Sequence, residues 1–288
     1  MSQNNSISNY FSLIKFSHTI FALPFAIIGY LLALMLTDAV YDGKILLYVL
    51  LCMILARSAA MAFNRYIDRH IDGENPRTAI REIPAGIIKP SSAFAFVLIT
   101  SGLFVLTTYF INPICFYLSP VALLVVLGYS FTKRFTSFCH LVLGLGLSLA
   151  PIGAYLAVTG QFALLPILFS CAVLFWVSGF DIIYALQDID FDSSKNLRSI
   201  PVLLGKKKAL YLSVLFHLLT SACLIYAGYY GNLGLFYWLG CTLFIGLLFY
   251  QHTLVRADDL SKVNLAFFTT NGIASVVFAV FVILELFL

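Results

Sequence analysis

The stretch ILLYVLLCMILARSAAMAFNRYIDRHID, Ile45 to Asp72, decides the fold. Its first 19 residues, Ile45–Phe63, carry a single charge, Arg57. Its last nine, Asn64–Asp72, carry four: Arg65, Asp68, Arg69 and Asp72. A helix needs about 20 apolar residues to cross roughly 30 Å of hydrocarbon. The stretch therefore reads as a membrane span that ends in an acidic, hydrophilic head.

Eight further apolar runs of similar length flank it: His18–Leu36, Ala93–Ile111, Cys115–Phe131, Phe138–Val158, Phe162–Phe180, Ala209–Tyr229, Leu233–Tyr250 and Leu265–Phe287. Lipid cannot satisfy free backbone groups, so spans of this length are predicted as helices. A barrel would show short alternating segments instead. Across 288 residues, 61% are hydrophobic and only 10% charged, against about a quarter charged in a soluble domain. That balance excludes a disordered chain and a nucleic-acid surface. The six cysteines are dispersed in or beside apolar runs and form no paired or metal-binding spacing. The fold class is all-α, a multi-pass protein with nine transmembrane helices embedded in a lipid bilayer.

Orientation follows from the cations. With the N-terminus inside, 15 of the 17 Lys and Arg fall in inner segments, leaving Lys44 outside and Arg57 within a span. This positive-inside bias predicts an N-in, C-out chain, and a bacterial-type inner (cytoplasmic) membrane location with its charged loops in the cytosol.

Eight of the 13 acidic residues lie in two short stretches at inner helix ends. The first holds Asp68, Asp72, Glu74 and Glu82. The second, DIIYALQDIDFDSSKNLRSIP from Asp181 to Pro201, holds Asp181, Asp188, Asp190 and Asp192. Asn64, Asp68 and Asp72 are spaced i, i+4, i+8, so a continuous helix puts them on one face. Asp181, Tyr184, Asp188, Asp192 and Lys195 share a face in the same way, and Asp190 points elsewhere. Asp68 and Asp188 are 120 residues apart, as are Asp72 and Asp192, and both pairs precede an Arg-x-Ile-Pro. This predicts one membrane-embedded domain over 1–288, built from pseudo-repeats at roughly 15–135 and 136–256 plus a final helix, 265–287. An even number of spans per repeat relates the copies by an axis along the membrane normal.

A lone charged run at a helix end reads as a solvated loop. Two runs with the same DxxxD spacing and the same downstream motif call for a shared cation. Oxygen-only donors suit a hard ion, and Mg2+ takes phosphate oxygens as further ligands. Arg77, Arg81, Lys133, Arg134 and Lys195 lie near enough in sequence to complement a diphosphate. A diphosphate at the mouth of an apolar helical cavity points to a lipid diphosphate.

Asn64 with Asp68 and Asp72, and the later Asp188 and Asp192, resemble the paired motifs of the UbiA superfamily of intramembrane aromatic prenyltransferases. Asn75-Pro76-Arg77-Thr78 and Arg81-Glu82-Ile83-Pro84-Ala85-Gly86 resemble its first cytosolic loop. Tyr129-Ser130-Phe131-Thr132-Lys133-Arg134 is similar to its basic segment after the fourth helix. The resemblance covers essentially the whole chain and is closest to the 4-hydroxybenzoate polyprenyltransferase branch. Arg65 departs from it, standing where many members have Asp. The region around Lys15–His18 and Leu23-Pro24 also differs from ubiquinone enzymes and is closer to prenyltransferases proposed for menaquinone routes.

The resemblance implies Mg2+-dependent transfer of a polyprenyl chain from prenyl diphosphate to an aromatic acid in respiratory quinone biosynthesis. It implies Asp68, Asp72, Asp188 and Asp192 as catalytic metal ligands. An acceptor-facing role is expected for Asp181 and for Tyr184, with core hydrogen bonding the alternative for Tyr184. Asn64 is expected to bind the acceptor, the diphosphate or metal-bound water. Arg57, as an arginine within a span, is expected either to meet the acceptor carboxylate or to form a structural ion pair or reach to the interface. His18, His140 and His217 read as isolated, structural or interfacial residues, and His70 and His252 as loop residues. Gly144, Gly146 and Ser148 read as a close helix contact. Two rivals stand beside this reading. One is another branch of the superfamily, acting on dihydroxynaphthoate, haem or a chlorophyll precursor. The other is a transporter, which would favour charges near mid-membrane over clusters at one end.

Overall fold

The computed structural model describes residues 6–288, except the side chains of residues 6, 7 and 16–18. The expectation for His18 therefore lies outside the described residues. Among the described residues, all regular structure is helical. Nine stretches are long and apolar enough to cross a membrane, one at each predicted position.

A short helix, α1 (Ser6–Leu13), precedes the first span helix α2 (Leu23–Leu36) and the long α3 (Gly43–Ile67). The short α4 (Arg69–Glu74) continues α3 after a break. Next come α5 (Pro90–Tyr109), α6 (Pro113–Thr132), α7 (Cys139–Thr159) and α8 (Leu164–Ala185). A single 3-10 turn leads from α8 into the short α9 (Ile189–Ser194). The chain closes with α10 (Ile200–Tyr230), α11 (Leu235–Leu254), a π-helical turn at Leu265–Thr270 and α12 (Asn271–Phe287).

Local chemistry sets these boundaries. Asn112 caps α6 by accepting the Cys115 N–H at 2.9 Å, and Pro113 follows where a missing N–H costs nothing. Asp42 caps α3 by accepting the Lys44 N–H at 2.7 Å. Ser199 caps α10 through the Val202 N–H. Gly205, at φ +75°, kinks α10 four residues before the predicted start of that span. The apolar run of this helix therefore follows the kink.

Small residues bring the helices together. A Cβ on Gly29 of α2 would lie 2.1 Å from the Pro151 carbonyl oxygen of α7. One on Gly144 of α7 would lie 2.4 Å from the Leu174 carbonyl of α8. Such close approach gives packing in lipid, where no hydrophobic force separates helix from solvent. Trp176, Phe169, Phe25, Phe244, Phe278 and Tyr237 fill the largest core cluster. Its polar atoms are paired: the Trp176 indole donates to Asn271 Oδ1 at 2.7 Å, and Asn271 Nδ2 donates to Gln251 Oε1 at 3.0 Å. This packing holds α7 and α8 against α2 and α12, and leaves an open cavity where the two acidic stretches end.

Candidate active site

Both acidic helices bend at or just before the first carboxylate of their DxxxD motif. The α3 helix ends at Ile67, and Asp68 (φ −88°, ψ 3°) is the hinge into α4. On the other side Asp188 (φ −105°, ψ 4°) is the hinge into α9. The sequence pattern implied continuous helices, and the structure corrects that. The released peptide groups are recaptured locally. Thr78 Oγ1 donates to the Asp72 carbonyl at 3.0 Å, and the Leu197 N–H to the Asp192 carbonyl at 2.8 Å. The bends keep all four carboxylates on one cavity, and through Asp68 the i to i−4 bonds persist, Asp68 N–H to the Asn64 carbonyl at 2.9 Å and Asp72 N–H to the Asp68 carbonyl at 2.7 Å.

That cavity measures about 640 Å³ and is lined by Arg57, Asn64, Asp68, Asp72, Arg77, Arg81, Lys133, Asp181, Tyr184, Asp188 and Asp192. Eleven of the thirteen residues expected at the site thus meet at one place. Arg134 reaches it from the rim, where Nη2 donates to Asp68 Oδ1 at 3.0 Å. Lys195 does not line the cavity. It pairs with Glu74 instead, because the turn after α9 carries its side chain past the cavity.

Arginines cover three of the four carboxylates, Asp68, Asp72 and Asp188. Arg77 donates from Nε and Nη2 to the two Asp188 oxygens, at 3.0 and 2.6 Å, and from Nη1 to the Tyr184 hydroxyl at 2.9 Å. Arg81 Nη1 donates to Asp72 Oδ1 at 2.6 Å, and Asn64 Nδ2 to Asp68 Oδ2 at 3.1 Å. Burial pushes the Asp68 carboxyl above its ordinary value, against the opposing pull of Lys133 and Arg134. Burial pulls the Arg77 guanidinium down, but Asp188 outweighs it, so Arg77 is held above its ordinary value.

Sequence reasoning missed several cavity residues. His140 does not stand alone: its Nδ1 lies 2.7 Å from Asp181 Oδ2. Only the packing of α7 on α8 reveals this pair, since 41 residues separate the two. His217 and His252 are likewise paired, 2.7 Å apart, and His252 belongs to the last turn of α11 rather than to a loop. Arg65 lines the cavity at 4% exposure, and its Nε has no partner among the described residues. Glu82 is buried there, accepting from the Ser12 hydroxyl of α1. Arg57 keeps an unpartnered buried Nε. Its neighbour Tyr129 sits within electrostatic reach of Arg57, Arg65, Asp68 and Asp181.

Aromatic rings floor the cavity. Phe180 lies 5.5 Å from Phe21 and 5.3 Å from Phe267 between ring centroids, and Tyr184 stacks on Phe267 at 4.1 Å. The π-helical turn aims Phe267 at this floor.

The donor set fits a hard divalent cation. The donors are carboxylate oxygens, and Asp72 Oδ2 is buried without a hydrogen-bond partner. Among the described residues, no three His, Cys, Asp or Glu side chains are close enough to form a complete metal cluster. An ion held here would complete its coordination with water and ligand oxygens, as Mg2+ does with phosphates.

A model of the UbiA prenyltransferase family matches residues 22–273. A 4-hydroxybenzoate octaprenyltransferase from Tolumonas auensis is 34% identical over 223 residues, covering 77% of this chain and 78% of that protein. The apo structure of a UbiA homolog from Aeropyrum pernix K1 superposes with a TM-score of 0.84 at 31% identity, covering 93% of this chain and 98% of that one. A UbiA homolog from Archaeoglobus fulgidus, bound to GPP and Mg2+, shares the fold with a TM-score of 0.73 at 18% identity, covering 97% of this chain and 100% of that one.

Proposed function

This chain belongs to the UbiA prenyltransferase family, and on that premise we propose that it transfers a polyprenyl chain from prenyl diphosphate to an aromatic acid of the 4-hydroxybenzoate type in respiratory quinone biosynthesis. One observation carries the reading. Four carboxylates and their arginines stand at the mouth of a cavity whose floor is aromatic. A charged head and an apolar chain are thereby accommodated in one site. The relatives' name supports the acceptor, and the GPP and Mg2+ of the Archaeoglobus homolog support the donor and the ion.

Asp68, Asp72, Asp188 and Asp192 would hold Mg2+, which when bound neutralises charge on the leaving diphosphate. Arg77, Arg81, Lys133 and Arg134 supply donors for the remaining phosphate oxygens. As the allylic C–O bond breaks, its electron pair leaves with the diphosphate. Phe21, Phe180 and Phe267 offer ring faces to the allylic cation and exclude water from it. Arg57, deeper than Asn64 on α3, meets the acceptor carboxylate, and Asn64 orients the ring. The ring carbon beside the phenol hydroxyl then forms the new C–C bond.

The cation bias supports an N-in chain with the cavity open to the cytosol of a cytoplasmic membrane. The matched DxxxD hinges at Asp68 and Asp188 support two pseudo-repeats followed by a final helix.

The test is an acceptor screen on the purified protein in detergent, with one prenyl diphosphate, Mg2+ and no ion gradient, read by mass spectrometry. Prenylated 4-hydroxybenzoate is the expected product. Prenylated dihydroxynaphthoate alone would replace the acceptor and move the reaction to a menaquinone route. No consumption of prenyl diphosphate with any acceptor would favour a transporter.

A further inference from the structure

The reaction must dispose of one proton. When the acceptor ring bonds the allylic carbon, the attacked carbon still carries its hydrogen, and aromaticity returns only when that hydrogen leaves as H+. A base on the cavity wall has to receive it. Most wall carboxylates are otherwise engaged. Asp68, Asp72 and Asp188 are paired with arginines and, with Asp192, form the two DxxxD motifs, while Glu82 accepts from Ser12.

Asp181 differs. It sits on α8 seven residues before Asp188, roughly 10 Å deeper along the helix. It lines the cavity with its side chain 22% exposed, and no arginine pairs with it. Its partner is His140, whose ring is nearly fully buried. The Ile200 N–H, at the start of α10, points to His140 Nε2 at 3.4 Å, so Nε2 accepts. The imidazole proton then resides on Nδ1 and is donated to Asp181 Oδ2 at 2.7 Å. The frame is rigid, because Ser178 of α8 donates to the His140 carbonyl at 3.1 Å, one turn from the tight Gly144 contact. Asp181 Oδ2 is thus pinned, and Oδ1 is the oxygen left to the cavity.

We propose that Asp181 is the catalytic base that takes the ring proton of the acceptor, and that His140 is the positioning residue that holds its carboxylate. The assignment rests on the prenyl transfer proposed above. In the step, the C–H electron pair returns to the ring, the proton passes to Asp181 Oδ1, and water in the cavity later removes it. The imidazole holds its own proton throughout. Depth supports the order of events: the diphosphate departs at the mouth, and the acceptor ring lies between the leaving group and Asp181.

The test uses 4-hydroxybenzoate carrying deuterium at both ring positions beside the hydroxyl, with one prenyl diphosphate and the full-length protein. If another aromatic acid is the substrate, that acid is deuterated at its reacting position. With ionisation of the allylic C–O bond proposed as the slow step of the native protein, little deuterium isotope effect is expected there. In D181N, turnover should fall about 100-fold or more and a primary isotope effect should emerge, with KM for prenyl diphosphate unchanged. H140A should fall less and also show an isotope effect. H140N should recover much of the rate, because its amide can donate where Nδ1 does. A slow D181N with no isotope effect overturns the assignment, as does an H140N no better than H140A. If D181N does not fold, the two His140 variants decide alone. Absence of any prenylated product from the native protein removes the underlying reading as well. Native turnover with an unaltered D181N removes only the base.

Discussion

Arg77 grips Asp188 with two nitrogens, at 3.0 and 2.6 Å, across 111 residues of sequence. The loop after the first acidic helix is thereby tied to the hinge of the second. A bidentate guanidinium–carboxylate pair is among the stronger side-chain contacts. In the proposed reaction the same guanidinium turns to the diphosphate, so its loss is felt in substrate binding. Arg77→Lys keeps the charge and loses the fork. We expect KM for prenyl diphosphate to rise about tenfold or more, on the scale of a charged hydrogen bond worth about 1.5–3 kcal/mol. An unchanged KM would leave Arg77 with a purely structural role.

In the proposed site, Asp68 would link metal binding to pH. Burial raises its carboxyl above the ordinary 3.8, so the metal-free site holds a proton more tightly than an exposed aspartate does. Mg2+ needs the carboxylate and must displace that proton. Its affinity should therefore be full above the raised value and decline as pH falls through it, with a midpoint above 3.8. Calorimetric Mg2+ titrations across pH check this. Asp68→Asn should abolish turnover, leave thermal unfolding in detergent nearly unchanged and weaken Mg2+ binding at every pH, while the remaining carboxylates keep an acid limb of their own.

Arg57 separates acceptor from donor. Arg57 lines the cavity seven residues before Asn64 on α3, and its buried Nε has no hydrogen-bond partner among the described residues. Arg57→Met keeps much of the bulk and removes the charge. The acceptor KM should rise at least about tenfold, as for a lost charge-assisted bond, while KM for prenyl diphosphate stays put. A matching rise in both constants would point to a general loosening of the cavity.

Gly29 holds α2 against α7. A Cβ there meets the Pro151 carbonyl oxygen at 2.1 Å, and backbone cannot yield cheaply. Gly29→Ala should cost about 1–3 kcal/mol, the usual penalty of overpacking. Gly102, with nothing within 4 Å of its added Cβ, is the control. A thermal unfolding midpoint lowered in the first variant and kept in the second is the expected outcome.

The nine spans were legible because lipid imposes one rule on every helix, and long apolar runs obey it visibly. The four carboxylates of the proposed metal site were legible for a related reason. Charge is so scarce here that two matched acidic runs stand out against the chain. The spacing of those runs did not show that the helices bend within them. Spacing predicts one continuous helical face, but Asp68 and Asp188 each hinge the helix. Lys195 followed the same pattern and still turned away, because a turn after a six-residue helix is set by local backbone bonds.

The amino-acid sequence alone determined that this chain is a helical membrane protein carrying paired acidic motifs, since hydropathy and charge act residue by residue. Tertiary packing alone decided which partners those motifs meet. It set Arg77 on Asp188, Arg81 on Asp72 and Arg134 on Asp68. It also turned an apparently isolated His140 into the companion of Asp181. Partnerships between residues 9 to 111 positions apart depend on how close two helices can approach, and here small residues such as Gly144 set that distance.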